Sequence, residues 1–251
     1  MVAKGYTQTY GVDYQETFSL AAKMNTMRIL LSLAAHFNWQ LQQYDVKNAF
    51  LHGDLEEEIY TTIPPGFEGK ETINKVCRLR KALYRLKQSP RAWFGRFARV
   101  MKATEYRQSQ GDHTLFIKQS TTGGVTALLV YVNDIIVMGN DEKEKQDLKQ
   151  CLIKEFEIKE LEKLKYFLGI EVSYSRQGIF VSQQKYVTNL LKETGKLGCK
   201  LTTTPIEANQ KLGEAKEEPI VDKEMYQRLV GKLIYLAHTQ PNIAYLVSMI
   251  S

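Results

Sequence analysis

An α+β fold, with antiparallel strands backed by helices, is predicted by three features of this 251-residue chain. Two runs rich in β-branched and aromatic residues, Val125 to Tyr131 and Ile135 to Val137, meet across polar residues, which is a hairpin signal that presents Asn133 and Asp134 at the tip. A second apolar and aromatic run leads into Asp45 and continues through Val46, Ala49 and Phe50, giving another acidic strand end. Between the strands lie stretches whose apolar residues recur at helical spacing.

Near the N-terminus, residues 1–19 are polar and turn-rich. Asn25 is placed to cap a helix reaching Phe37, with Met27, Leu30, Leu31, Ala34 and Ala35 as its core stripe. After the Asp45 strand, Pro64-Pro65-Gly66 breaks regular structure. Ser89 and Pro90 open the next helix, whose buried face is Trp93, Phe94, Phe97, Val100 and Met101. Asp141 starts a charged helix to about Phe156, packed through Leu148, Leu152 and Phe156, with its Lys and Glu residues solvated. Leu164 to Ser182 reads as two strands around Arg176-Gln177-Gly178, followed by a helix from Gln183 to Thr194. Thr202 to Asp222 lacks periodicity and reads as an exposed connection, and a last helical segment begins near Lys223.

Composition narrows the class of protein without naming it. Thirty-four basic against twenty-eight acidic residues leave a charge of +6, which suits a polyanionic partner. Cys77, Cys151 and Cys199 are odd in number and far apart, with no zinc-ligand spacing, so reduced thiols in an intracellular setting are expected. No stretch approaches the apolar length of a membrane span, and no secretory leader is seen. His52 has no Ser or Cys partner pattern, and Asp54 with Glu56 to Glu58 reads as a solvated rim.

Taken in order, VAKGYTQTYGVDYQETFS, the YDVKNAF segment, KALYRLKQSPRAWF, the YVND turn, YFLGIEV and YQRLVGKLIYLAHTQPNIAYLVS resemble the reverse transcriptase of copia-type LTR retrotransposons, almost from end to end. The resemblance implies a right-hand polymerase palm with partial fingers and the start of a thumb. Residues 1–160 would be fingers and palm, 161–201 the primer-grip hairpin and first thumb helix, and 202–251 a connection with a C-terminal helical segment. It further implies an RNA template, a DNA primer and dNTP as partners, other parts of the element polyprotein beside it, and two magnesium ions as cofactor. The upstream fingers strands of the family are absent, and no RNase H region follows, so a truncated element copy is expected.

By this resemblance, catalysis falls to Asp45, Asn133 and Asp134, with metal held by Asp45, the Val46 backbone and Asp134. Two magnesium ions serve the nucleophile and the leaving group of an in-line displacement, and they demand carboxylate oxygens. Asn133 stands where the family has aspartate. It offers one neutral oxygen, so the site loses a full charge and transition-state stabilisation with it. Asp134 is not expected to replace it, because adjacent strand-end side chains point in different directions.

The triphosphate falls to backbone amides of Lys47, Asn48 and Ala49. Phe50 matches the aromatic that excludes a ribose 2′-hydroxyl, although without the flanking motif it reads as an ordinary buried aromatic. Arg85 replaces a glycine of the pocket loop and forbids cheap positive φ, or else swings to solvent or a phosphate. Lys87, Gln88 and Arg91 are candidates for nucleotide or template contacts that equally fit a solvated helix start. Tyr131, Val132, Leu168, Gly169, Lys185 and Lys192 are the primer and template candidates, giving salt-dependent binding without sequence preference. Leu20 and Asn242 also depart from the family pattern.

Overall fold

The computed structural model describes residues 3–17, 22–67, 69, 74–202, 204 and 222–251; Leu20 and most of the expected connection, residues 205–221, lie outside them. The chain divides into two compact units, Met1–Leu164 and Lys165–Ser251. The first is built on a six-stranded antiparallel sheet in the order β4-β5-β6-β7-β1-β8, formed by β1 (Gln42–Val46), β4 (Arg107–Gln108), β5 (Leu115–Gln119), β6 (Val125–Tyr131), β7 (Asp134–Gly139) and β8 (Ile158–Lys163). A separate pair joins β2 (Tyr60–Thr61) to β3 (Cys77–Arg78).

One face of the large sheet is closed by α2 (Ser89–Ala103) and α3 (Glu142–Glu155). Trp93, Phe97 and Met101 from α2, with Leu148 and Leu152 from α3, pack with Tyr44, Val46, Leu128, Val130, Ile135 and Val137 of the strands. Strand side chains alternate between faces, so this leaves Gln43 and Asp45 of β1, with Asp134 and Ile136 of β7, on the other face. Pro90 sits in the first turn of α2, where its missing N–H costs no helical bond. Asp141 caps α3 by accepting from the Glu144 amide at 2.9 Å. Val100 is only partly buried, and Ala98 takes a place in the core. The polar face of α3 is not wholly solvated, since Lys145 is 3% exposed and pairs with Glu142 at 2.6 Å.

Helix α1 (Met24–Phe37) ends where its sequence reading placed it but differs in its N-cap and in one core residue. Asn25 lies inside its first turn, and Lys23 is the N-cap with no side-chain bond of its own. The missing cap comes from Asp112, whose carboxylate accepts from the Lys23 amide at 3.0 Å across 89 positions of sequence. Ala35 is exposed, while Met24 joins Met27, Leu30, Leu31 and Ala34 in the core. The helix stops at Asn38, which takes the left-handed conformation at φ 53°.

The strand reading through Ala49 and Phe50 also needs correction. β1 ends at Val46 because Asn48 turns left-handed at φ 51°, and Ala49–His52 form a 3-10 turn. β8 extends the sheet with a half-exposed pattern of apolar and charged residues.

The second unit pairs β9 (Tyr166–Phe167), β10 (Ile170–Ser175) and β11 (Gly178–Ser182) with α4 (Gln184–Glu193), α5 (Lys223–Ala237) and α6 (Pro241–Ile250). The last segment is thus two helices, broken before Pro241. Glu193 of α4 takes Lys232 and Arg228 of α5, and the Tyr186 hydroxyl donates to the Lys232 carbonyl at 3.1 Å. Among the described residues no helix is long and apolar enough to cross a membrane, and the three cysteines are free thiols.

Candidate active site

β1 and β7 run antiparallel in a register that sets Asp45 directly opposite Asp134. Residues paired this way share a face, so both carboxylates lie on the sheet side away from the aromatic core. The hairpin turn is Val132-Asn133, because Tyr131 pairs with Asp134. Asp134 is therefore the first residue of β7 rather than part of the tip.

Three hydrogen bonds fasten that turn. The Asn133 side-chain amide donates to Asp45 Oδ1, the Val46 amide donates to the Asn133 carbonyl at 2.7 Å, and the Trp93 indole donates to the Val132 carbonyl at 2.6 Å. Val132 holds φ 52°, a conformation that a β-branched residue adopts only when its surroundings impose it.

Asp134 is drawn aside by the Gln43 amide, which donates to its Oδ1 at 3.0 Å. Burial pushes its carboxyl above the usual range, the Gln43 bond opposes this, and the neighbouring Asp45 charge adds to it. Asp134 thus shares Asp45's face, with its Oδ1 accepting from Gln43. Among the described residues no group of three or more His, Cys, Asp or Glu side chains converges as a metal site. The position that would complete one holds Asn133, turned so that it offers N–H to Asp45.

Several expected nucleotide contacts are used inside the protein. The Lys47 amide donates to the Glu157 carbonyl at 2.8 Å, and its ammonium pairs with the Glu157 carboxylate at 2.6 Å. The Lys47 backbone donor is thus spent within the protein, while its ammonium, paired with one carboxylate, stays half exposed. Ala49 is buried, and Phe50 packs against the core with its ring 4.9 Å from that of Tyr84. Tyr84 was not singled out from the sequence, yet burial and the Asp45 charge together raise its hydroxyl pKa. Its signal was its position, one residue before Arg85.

Arg85 itself is exposed and sits at φ 75°. The loop has kept a glycine-type backbone and carries the side chain to solvent. It cannot relax easily, because a Cβ on Gly5 would lie 1.7 Å from the Arg85 carbonyl oxygen, so the two backbones are in direct contact. The same N-terminal segment pins the loop further along. Ala3 donates to the Tyr84 carbonyl at 3.1 Å, and Gln8 accepts from the Lys87 amide at 2.9 Å. Gln88 is 1% exposed, accepts from Gln8 and donates to the Asp13 carbonyl, both at 3.0 Å, so its amide is spent on this clamp rather than offered to a nucleotide. Arg91 pairs with Glu16 at 3.4 Å. Arg85→Gly is expected to stabilise the chain by up to about 1 kcal/mol, the relief of left-handed strain exceeding the added freedom of the unfolded chain. Urea midpoints of the two chains measure it.

Of the primer-side candidates, Tyr131 and Val132 sit at the β6–β7 turn of the first unit, and the others belong to the second. Leu168 and Gly169 form the β9–β10 turn with φ values of 49° and 73°. The Tyr235 hydroxyl donates to the Leu168 carbonyl, and a Cβ on Gly169 would meet the rings of Tyr186 and Tyr235 at 3.4 and 3.5 Å. Lys185 places its ammonium 5.2 Å over the Tyr166 ring, while Lys192 is exposed on α4.

A family model described as reverse transcriptase (RNA-dependent DNA polymerase) matches residues 1–208. The retrovirus-related Pol polyprotein from transposon RE1 of Arabidopsis thaliana is 41% identical over 251 residues, covering 100% of this chain and 17% of its own length. The corresponding polyprotein from transposon TNT 1-94 of Nicotiana tabacum is 36% identical over 260 residues, 100% of this chain and 20% of its own. A putative transposon Ty5-1 protein of Saccharomyces cerevisiae is 34% identical over 209 residues, 82% of this chain and 68% of its own. The chain belongs to the reverse transcriptase (RNA-dependent DNA polymerase) family. Within it, the chain is the reverse transcriptase domain of copia-type Pol polyproteins, and it spans about one fifth or less of the length of the plant relatives, 17% and 20%.

Proposed function

We propose that this chain is built for RNA-directed DNA synthesis, with its chemistry curtailed by Asn133. The observation that carries the reading is the convergence of Asp45, Asn133 and Asp134 at one end of a single antiparallel sheet. In this reading the six-stranded sheet with α2 and α3 is the palm, residues before it belong to the fingers, and the β9–β11 hairpins with α4 belong to the primer grip and thumb. Residues 202–251 are the connection and its helices.

The donor set fits one magnesium ion better than two. The carboxylates of Asp45 and Asp134, with the Val46 carbonyl, would hold an ion, whose chemistry is to neutralise charge developing on the transferred phosphate. A second ion would be short of a carboxylate, because the Asn133 amide faces Asp45 as a donor. Phe50 and Tyr84 form the aromatic wall beside the acids and would exclude a 2′-hydroxyl. Arg85 and Lys87 flank the incoming nucleotide, with the amides of Asn48 and Ala49 toward its phosphates. Tyr131, Val132, Leu168, Gly169, Lys185 and Lys192 would meet primer and template. Primer extension on an RNA template with dNTPs and magnesium tests the reading directly.

The Asn133 bond to Asp45 also favours a second reading, nucleic-acid binding without synthesis. An RNA/DNA duplex is expected to bind with little sequence preference, and affinity is expected to fall as salt rises. Asp45→Asn and Asn133→Asp should leave that binding in place. A folded chain that fails to retain the duplex at low salt would remove the binding-only reading.

A further inference from the structure

We propose that Trp93 is a positioning residue for the acidic turn, its indole N–H holding the Val132 carbonyl so that Val132 stays at positive φ and Asn133 is delivered to Asp45. Glycine is the usual occupant of such a turn position, and a β-branched side chain there persists only if neighbouring groups fix it. Asn133 ties the turn to Asp45 and Val46, but neither of those bonds reaches the Val132 carbonyl. The bond at 2.6 Å from a donor on a different element does.

Trp93 is suited to the task because it is immobile. It is 0% exposed, with Phe156 edge-on at 5.1 Å and the rings of Phe97 and His52 at 5.7 and 5.9 Å. A buried indole has a single N–H and needs a partner for it, and here that partner is the strained carbonyl. The same residue also meets the segment that follows Asp45. A Cβ on Gly53 would lie 2.6 Å from the Trp93 amide nitrogen, so the backbone of that segment lies directly on the start of α2. Trp93 therefore touches both the Val132 turn and the segment that follows Asp45. The significance of this for synthesis rests on the polymerase reading, whereas the positioning itself does not.

The test uses the whole chain carrying Trp39→Phe, which leaves Trp93 as the sole tryptophan of the two. Its ¹⁵N-indole proton is expected to exchange slowly; exchange at the rate of an exposed indole overturns the proposal even if no further variant folds. Trp93→Phe keeps a ring and deletes the donor, and it is expected to speed exchange of the Asn133 side-chain amide about tenfold or more. Adding Val132→Gly to that chain should bring exchange back toward the starting value, because glycine takes positive φ without being held. A role in packing alone gives no such rescue. Unchanged exchange in a folded Trp93→Phe chain, or no recovery on adding Val132→Gly, overturns the proposal. In an Asn133→Asp background, kcat for primer extension should fall with Trp93→Phe and recover with Val132→Gly, while the KM for dNTP moves little. If exchange behaves as expected and no chain extends a primer, the polymerase reading fails and the positioning role stands.

Discussion

Asn133→Asp is expected to raise the rate of primer extension on an RNA template by about a thousandfold or more, equivalent to roughly 4 kcal/mol of transition-state stabilisation. The present side chain donates to Asp45 Oδ1 and so satisfies that carboxylate from within the protein. Replacing the amide with a carboxylate removes the donor, restores an acceptor for a bridging ion, and sets three acids around one point. Their mutual repulsion makes the altered chain dependent on a divalent ion in a way the starting chain is not. Its thermal midpoint is therefore expected to rise on adding magnesium by more than that of the starting chain. Absolute rates should remain low while Arg85 lines the loop, and the double change with Arg85→Gly should exceed either alone; because both act on one transition state, their effects need not add. Equal extension by the starting chain and Asn133→Asp would contradict the metal-site argument. Revival by Arg85→Gly alone would move the defect to the loop.

Asp112→Ala is expected to destabilise the chain by about 3 kcal/mol, since it leaves several buried donors without an acceptor. Asp112 is 5% exposed and accepts from the Lys23 amide and the Thr114 amide, each at 3.0 Å, and from the Thr114 hydroxyl at 2.6 Å. Asp112→Asn, which keeps an acceptor oxygen, should lose less. Burial opposes ionisation of this carboxyl, but bonds from Thr114, Thr26 and Lys23 outweigh it and hold the pKa below the ordinary aspartate value. In the interval between the folded and the ordinary value the unfolded chain binds more protons. The stabilisation is thus complete above the ordinary aspartate pKa and is lost as pH falls through the folded one. Asp134 works in the opposite sense. Its raised pKa means that ionisation costs stability, and that penalty is removed as pH falls from above the folded value to below the ordinary one. Urea midpoints measured across the acid range on the starting chain, Asp112→Ala and Asp134→Asn separate the two contributions.

Much of the site could be read locally. Aspartate near the end of an apolar strand and a two-residue turn between β-branched runs are features of neighbouring residues, while the glycine position filled by Arg85 came from the family resemblance. Gln88 could not be read that way. Its sequence setting is a polar helix start, and only the folded N-terminal segment, through Gln8 and Asp13, turns it into a buried clamp. Tyr84 likewise gains its meaning from Asp45, a residue 39 positions away by their numbers. β8 escaped notice because Ile158 and Leu161 are spaced by three, while its strand geometry is imposed by pairing with β1.

The sequence by itself determined the periodicities of α2 and α3, the β6–β7 hairpin, the charge deficit at Asn133 and the family, because each depends on residue chemistry within a short window or on the order of motifs along the chain. Only the tertiary structure decided that Asp45 faces Asp134, that Asp112 caps α1 from 89 positions away, and that a tryptophan on α2 holds the turn at Val132. Those are contacts between segments remote in sequence. Strand register and close packing choose them, and local propensity carries no information about which distant partner will be met.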